Sequence, residues 1–72
     1  MSIDPRRAFG KRLRELRIKV GISQEKLAEL ADLHRNYVGL LERGLQSPSL
    51  NTICRLAKAL KVKPYELLMT LP

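Results

Sequence analysis

The chain has one cysteine and one histidine in 72 residues. A single thiol, Cys54, cannot close a disulfide within the chain, and it suits a reducing cytosol. One Cys with one His cannot complete a structural zinc site, so no metal is expected. There is no glycine-rich phosphate loop and no pair of carboxylates in a plausible cleft. These absences argue against an enzyme, and neither a cofactor nor a small-molecule ligand is evident. No apolar run approaches the ~18 residues that a membrane span needs. The opening MSIDPRRAFG is charged and lacks the apolar segment of a secretion signal, so the protein is expected to stay in the cytoplasm.

What is present is length for one domain and an excess of positive charge. A chain of this size buries only roughly 60% of its unfolded surface, so its core is marginal and self-association is a common remedy. The formal charge is +7. Residues 1–20 hold Arg6, Arg7, Lys11, Arg12, Arg14, Arg17 and Lys19 against only Asp4 and Glu15. A basic surface attracts nucleic acid first and anionic membrane second. The membrane reading is the weaker, because the apolar face of the basic segment is needed for the core.

The hydrophobic pattern predicts an all-α fold of five helices with no strand. In helix 1, Asp4 is the N-cap and Pro5 stands at N1. Phe9, Leu13, Leu16 and Val20 follow along one face of a 3.6-residue period, and Gly21 closes the helix in a left-handed cap. Arg7, Lys11 and Arg14 line the opposite face, with Ile18 among them. Helix 2 begins after Ser23 and turns Leu27, Ala28 and Ala31 inward. Asp32-Leu33-His34 is a three-residue turn. Helix 3 runs from about Arg35 to Arg43 and stops at Gly44. Ser49 caps helix 4, whose stripe is Leu50, Ile53, Leu56, Ala57 and Leu60, with Cys54 expected to pack half-buried at its edge. Pro64 opens helix 5, about residues 64–70, which is apolar on nearly every side.

Helices 2 and 3, about residues 23–44, form a helix-turn-helix unit. Ala28 lets the second helix cross close to the first, and Val38 and Leu41 supply the buried knobs. At 100° per residue, Asn36, Gly39, Leu40 and Arg43 fall opposite Val38 and Leu41, flanked by Arg35 and Tyr37. This strip offers a guanidinium, an amide, an alkyl chain and a stretch of bare backbone. Arginine pairs bidentately with guanine, asparagine with adenine, and apolar groups touch the thymine methyl. Glycine within a helix costs about 1 kcal/mol relative to alanine. Gly39 exchanges that stability for close approach to a groove.

The run SQEKLAELADLHRNYVGLLERG, followed by SPSLNTICRLAKALKVKPYELL, resembles the Cro/repressor-type (XRE-like) helix-turn-helix regulators over about residues 9–68. Within that family the chain length and the HRNY segment look most like the controller proteins of restriction–modification systems. The resemblance implies a single lambda-repressor-like DNA-binding domain over residues 1–72, with helix 3 as the recognition helix in the major groove. Arg35, Asn36, Gly39 and Leu40 then occupy base-facing positions. Gln24, His34, Tyr37, Arg43, Gln46, Ser47 and Ser49 occupy phosphate-contact positions. Arg17 and Glu42 match a buried ion pair that recurs in the family, and the helical wheel independently puts both at the edges of apolar stripes. Three residues depart from the family pattern: Asp32 stands for the usual turn Gly, His34 for a Ser or Thr N-cap, and Lys63 for a better cap on helix 5.

The apolar surplus of helix 5 predicts a symmetric homodimer through Tyr65, Leu67, Leu68, Met69 and Leu71. Two recognition helices would then enter successive major grooves about 34–36 Å apart on a roughly palindromic double-stranded operator. The expected function is transcriptional regulation. The alternative is an antitoxin or docking module of the same fold, whose main partner is another protein.

Overall fold

Every helix begins where the local sequence offers a cap. The computed structural model describes residues 3–72, and among these there are five helices and no strand. They are α1 (Pro5–Val20), α2 (Gln24–Ala31), α3 (Arg35–Glu42), α4 (Leu50–Leu60) and α5 (Pro64–Leu68). Asp4 caps α1 by accepting from the Arg6 amide at 2.9 Å. The Arg6 guanidinium, and after it the Arg6 amide, hold the Asp4 carboxyl below its ordinary pKa. Ser23 accepts from the Lys26 amide at 3.0 Å, and Ser49 accepts from the Thr52 amide at 3.1 Å. At α5 the lysine side chain has no acceptor to offer. There Glu66 reaches back instead and accepts from the Lys63 amide at 2.8 Å.

The first four helices end alike. Gly21, Asp32, Gly44 and Lys61 all take positive φ, and the following amides (Ile22, Leu33, Leu45, Val62) return to carbonyls five residues back. This pairing satisfies carbonyls that a helix end otherwise leaves bare. Ile22, Leu33 and Val62 then turn onto the core, which closes each connection. Asp32 tolerates the left-handed conformation that the helix 2–3 turn requires, at φ 56°.

The core is one cluster drawn from all five helices, centred on Leu13, Leu27, Leu41, Leu56 and Leu67. α3 packs between α1 and α2, while α4 joins α2 to α5. Four expectations need correction. Val20 is 48% exposed because α1 outruns the body it packs on. Leu50 is 78% exposed, since the first residue of α4 precedes the turn that reaches the core. Cys54 is exposed, not half-buried. Helix 5 stops at Leu68, with Met69 and Thr70 in a turn, so it is shorter than the 64–70 expected.

Candidate nucleic-acid interface

α3 is held from one side. Val38 and Leu41 are fully buried, and the Glu42 carboxylate sits beneath the helix with only 3% of its side chain exposed. Arg17 donates to it twice, from Nε at 2.6 Å and Nη2 at 3.0 Å, and its Nη1 donates to the Ile22 carbonyl at 2.9 Å. Hydrogen bonding to Glu42 pushes the Arg17 guanidinium above its ordinary pKa, against the opposing effect of burial. The charged form is therefore the one the site favours. Gln24 completes the arrangement by donating Nε2 to Glu42 at 3.0 Å. Three elements (α1, α2 and α3) thus meet on one carboxylate, which fixes the rotation of α3 about its own axis.

That rotation sets the other side free. Arg35 and Asn36 are exposed, and Gly39 and Leu40 are half-buried along the same strip. Arg43, just past the helix, is exposed and donates Nε to the Gly39 carbonyl at 3.2 Å. The four residues expected to face bases therefore share one accessible strip, with the guanidinium and amide at its leading end.

Gly39 has room on this strip. A Cβ there would meet only the end of the Gln24 side chain, at 3.4 Å from Oε1. Packing does not demand a glycine here.

The residues expected to touch phosphate divide into two sets. His34 caps α3 by accepting from the Asn36 amide at Nδ1, 3.2 Å away. A neutral imidazole accepting at Nδ1 carries its proton on Nε2, which leaves a donor on an exposed residue. Gln46 and Ser47 are exposed in the loop after α3, and Tyr37 is half-buried against the core. Two others are committed elsewhere. The Gln24 amide is turned to Glu42, and the Ser49 hydroxyl is held in the α4 cap, where it also donates to Thr52 Oγ1 at 3.0 Å. Both therefore carry a role within the chain as well: Gln24 helps to position α3, and Ser49 starts α4.

A helix-turn-helix family model matches residues 13–67. The chain belongs to the helix-turn-helix family. Among the relatives of this helix-turn-helix protein, the control protein C.BamHI of Bacillus amyloliquefaciens is 45% identical over 69 residues, covering 94% of this chain and 85% of that one. The crystal structure of the restriction–modification controller protein C.AhdI from Aeromonas hydrophila superposes with a TM-score of 0.85 at 53% identity, covering 86% of this chain and 94% of that one. The biofilm master regulator SinR, solved in complex with DNA, superposes with a TM-score of 0.80 at 33% identity, covering 83% of this chain and 97% of that one.

Two features of this helix-turn-helix domain escaped the sequence pattern. Gly10 lies inside α1, and a Cβ added there would overlap the Leu41 carbonyl oxygen and lie 2.7 Å from the Glu42 carbonyl oxygen. It is the point where α1 and the end of α3 touch backbone to backbone. Its signal was the same as that of Gly39, an unexplained glycine within a helix. Arg12 clamps α1 to α5, donating Nε to the Glu66 carbonyl at 2.8 Å and Nη2 to the Met69 sulfur at 3.4 Å. Nothing in the periodicity distinguished it from its basic neighbours.

The expected dimer surface is also revised. Leu67 is fully buried in the protein's own core and is withdrawn from it. Leu68 is half-buried against that core. Tyr65 at 63% exposure, Met69 at 62% and Leu71 remain on the outside. Among the described residues no helix is long and apolar enough to cross a membrane.

Proposed function

We propose that this chain is a sequence-specific, double-stranded DNA-binding transcriptional regulator of the controller-protein type, non-catalytic and cytoplasmic, acting as a homodimer on a roughly palindromic operator. The single observation that carries the reading is the arrangement of α3. Its inner side is locked to α1 and α2 through Glu42, and its outer side presents Arg35, Asn36, Gly39 and Leu40 together. A rigid helix with one accessible strip of this chemistry suits the major groove, where a bidentate arginine reads guanine and an asparagine reads adenine. The likeness to C.BamHI and C.AhdI supports control of restriction–modification genes as the setting.

In this reading His34, Tyr37, Arg43, Gln46 and Ser47 bear on the phosphate backbone and hold the register, while the strip selects the sequence. Tyr65, Met69 and Leu71 form the exposed apolar part of the dimer contact, and Leu68 supports them from behind. Selection of bound sites from a random duplex pool should return a two-fold symmetric motif, its half-sites about one helical turn apart. Binding should weaken steeply with salt, by about 0.9 in log–log slope for each phosphate neutralised. Failure to bind any duplex at low ionic strength would overturn the reading. Tyr65→Glu should leave a folded monomer by sedimentation, and a persistent dimer would place the contact elsewhere.

A further inference from the structure

An open cleft of about 1090 Å³ lies between the first turns of α1 and the end of α3, lined by Ile3, Asp4, Arg7, Ala8, Lys11, Glu15, Glu42, Arg43 and Thr70. Its two walls are in backbone contact, because Gly44 takes φ +73° directly against Arg7. Three cations face this space, from residues 7, 11 and 43. Two of the three carboxylates there are already neutralised. Asp4 is paired with the Arg6 guanidinium at 2.9 Å, and Glu42 is held by Arg17 with Arg14 at 3.9 Å. Glu15 is the one acid left to offset Arg7, Lys11 and Arg43. The cleft therefore carries net positive charge in a concave, solvent-open setting, which suits a polyanion and gives an apolar ligand little to bind.

Its position says which polyanion. Arg43 belongs both to the cleft and to the outer strip of α3, so the two surfaces are continuous. A duplex with α3 in its groove must carry one strand past the end of that helix. We propose that this cleft is a phosphate seat for that strand, in which Arg7 and Lys11 of α1 extend the grip that Arg43 begins. The assignment rests on the DNA-binding reading above and adds two residues of α1 to it. It also gives a task to the charge excess of the first twenty residues. Contacts of this kind carry no sequence information, so they should strengthen binding to operator and random duplex alike.

The test compares two double variants with equal loss of charge. Arg7→Gln/Lys11→Gln removes two of the three cations of the cleft. Lys58→Gln/Lys61→Gln removes two cations from the separate groove between α2 and α4, which is also lined by Leu30 and Arg55. Both pairs are exposed, and thermal unfolding checks that each variant stays folded. Affinity for operator and for random duplex is then followed across salt. With one phosphate per protomer and two protomers bound, the cleft variant should have a log–log slope shallower by about 2, and it should bind both duplexes about tenfold more weakly at moderate salt. The control pair should keep the wild-type slope. A cleft variant with an unchanged slope overturns the proposal, as does a control pair that loses as much. Wild-type protein that ignores DNA altogether would overturn instead the reading on which it rests.

Discussion

On the inner side of α3, Val38 and Leu41 are sealed from solvent, Glu42 answers donors from two other helices, and Gly10 of α1 leaves no space for a methyl group. On the outer side, Arg35 and Asn36 stand in solvent and Gly39 has room for the methyl it lacks. Eight residues of helix thus obey two rules. The inner face is decided by contacts already made, so any change there is read first as stability. On the proposed reading the outer face answers to DNA, so changes there should leave stability nearly alone and appear in binding.

Glu42→Ala is the strongest way to break the contrast on the inner side. It leaves the Arg17 guanidinium buried without its carboxylate, at an expected cost of about 3–5 kcal/mol in denaturant unfolding. Loss of DNA binding should follow from loss of fold. Gly10→Ala comes next. The added methyl drives α1 away from two backbone carbonyls that cannot move independently, and overpacking of that kind costs roughly 2–3 kcal/mol. Unfolding within 0.5 kcal/mol of wild type in either variant would mean that α3 is not held as described.

Outer-face changes should behave differently. Arg35→Ala should weaken operator binding by about 1–3 kcal/mol and relax preference at a single base pair, with unfolding unchanged. Equal weakening on random DNA would reduce Arg35 to a backbone contact. The smallest effect is also the sharpest in sign. Gly39→Ala should raise stability by about 0.5–1 kcal/mol, because the helix gains a better former and the added methyl makes only ordinary van der Waals contact, 3.4 Å, with Gln24 Oε1. The same variant should bind operator more weakly. A variant that gains stability and keeps its affinity would show that nothing approaches the helix at Gly39.

The two glycines also show how far sequence reading reaches. Both interrupt a helix, and both carry the same local penalty. Gly39 could be assigned a proposed role early because it shares a face with Arg35 and Asn36, and periodicity within one helix is enough to reveal that shared face. Gly10 could not, since its reason lies far along the chain in the carbonyls of Leu41 and Glu42. The same limit explains the other revisions. Leu67 is one apolar residue among several in its helix, and only the packing of α4 and α1 on α5 chose it for the core. Leu50 belongs to a sound helical stripe and is nonetheless exposed, because a wheel gives direction and not depth. Ser49 was legible as an N-cap, and the structure shows its hydroxyl making the cap hydrogen bonds.

What the sequence determined by itself is local. Capping residues, glycine stops and the 3.6-residue period fixed five helices, the turn between the second and third, and which residues of α3 share a side. These depend on interactions spanning a few residues, so a linear reading contains them. The tertiary structure alone decided which apolar residues reach the centre, that Gln24 serves Glu42, that Arg12 ties α1 to α5, and that Arg7 and Lys11 stand beside Arg43. Those are encounters between groups far apart in the chain. Their outcome depends on how whole helices cross, and the crossing is set by shape and burial that no short stretch of sequence encodes.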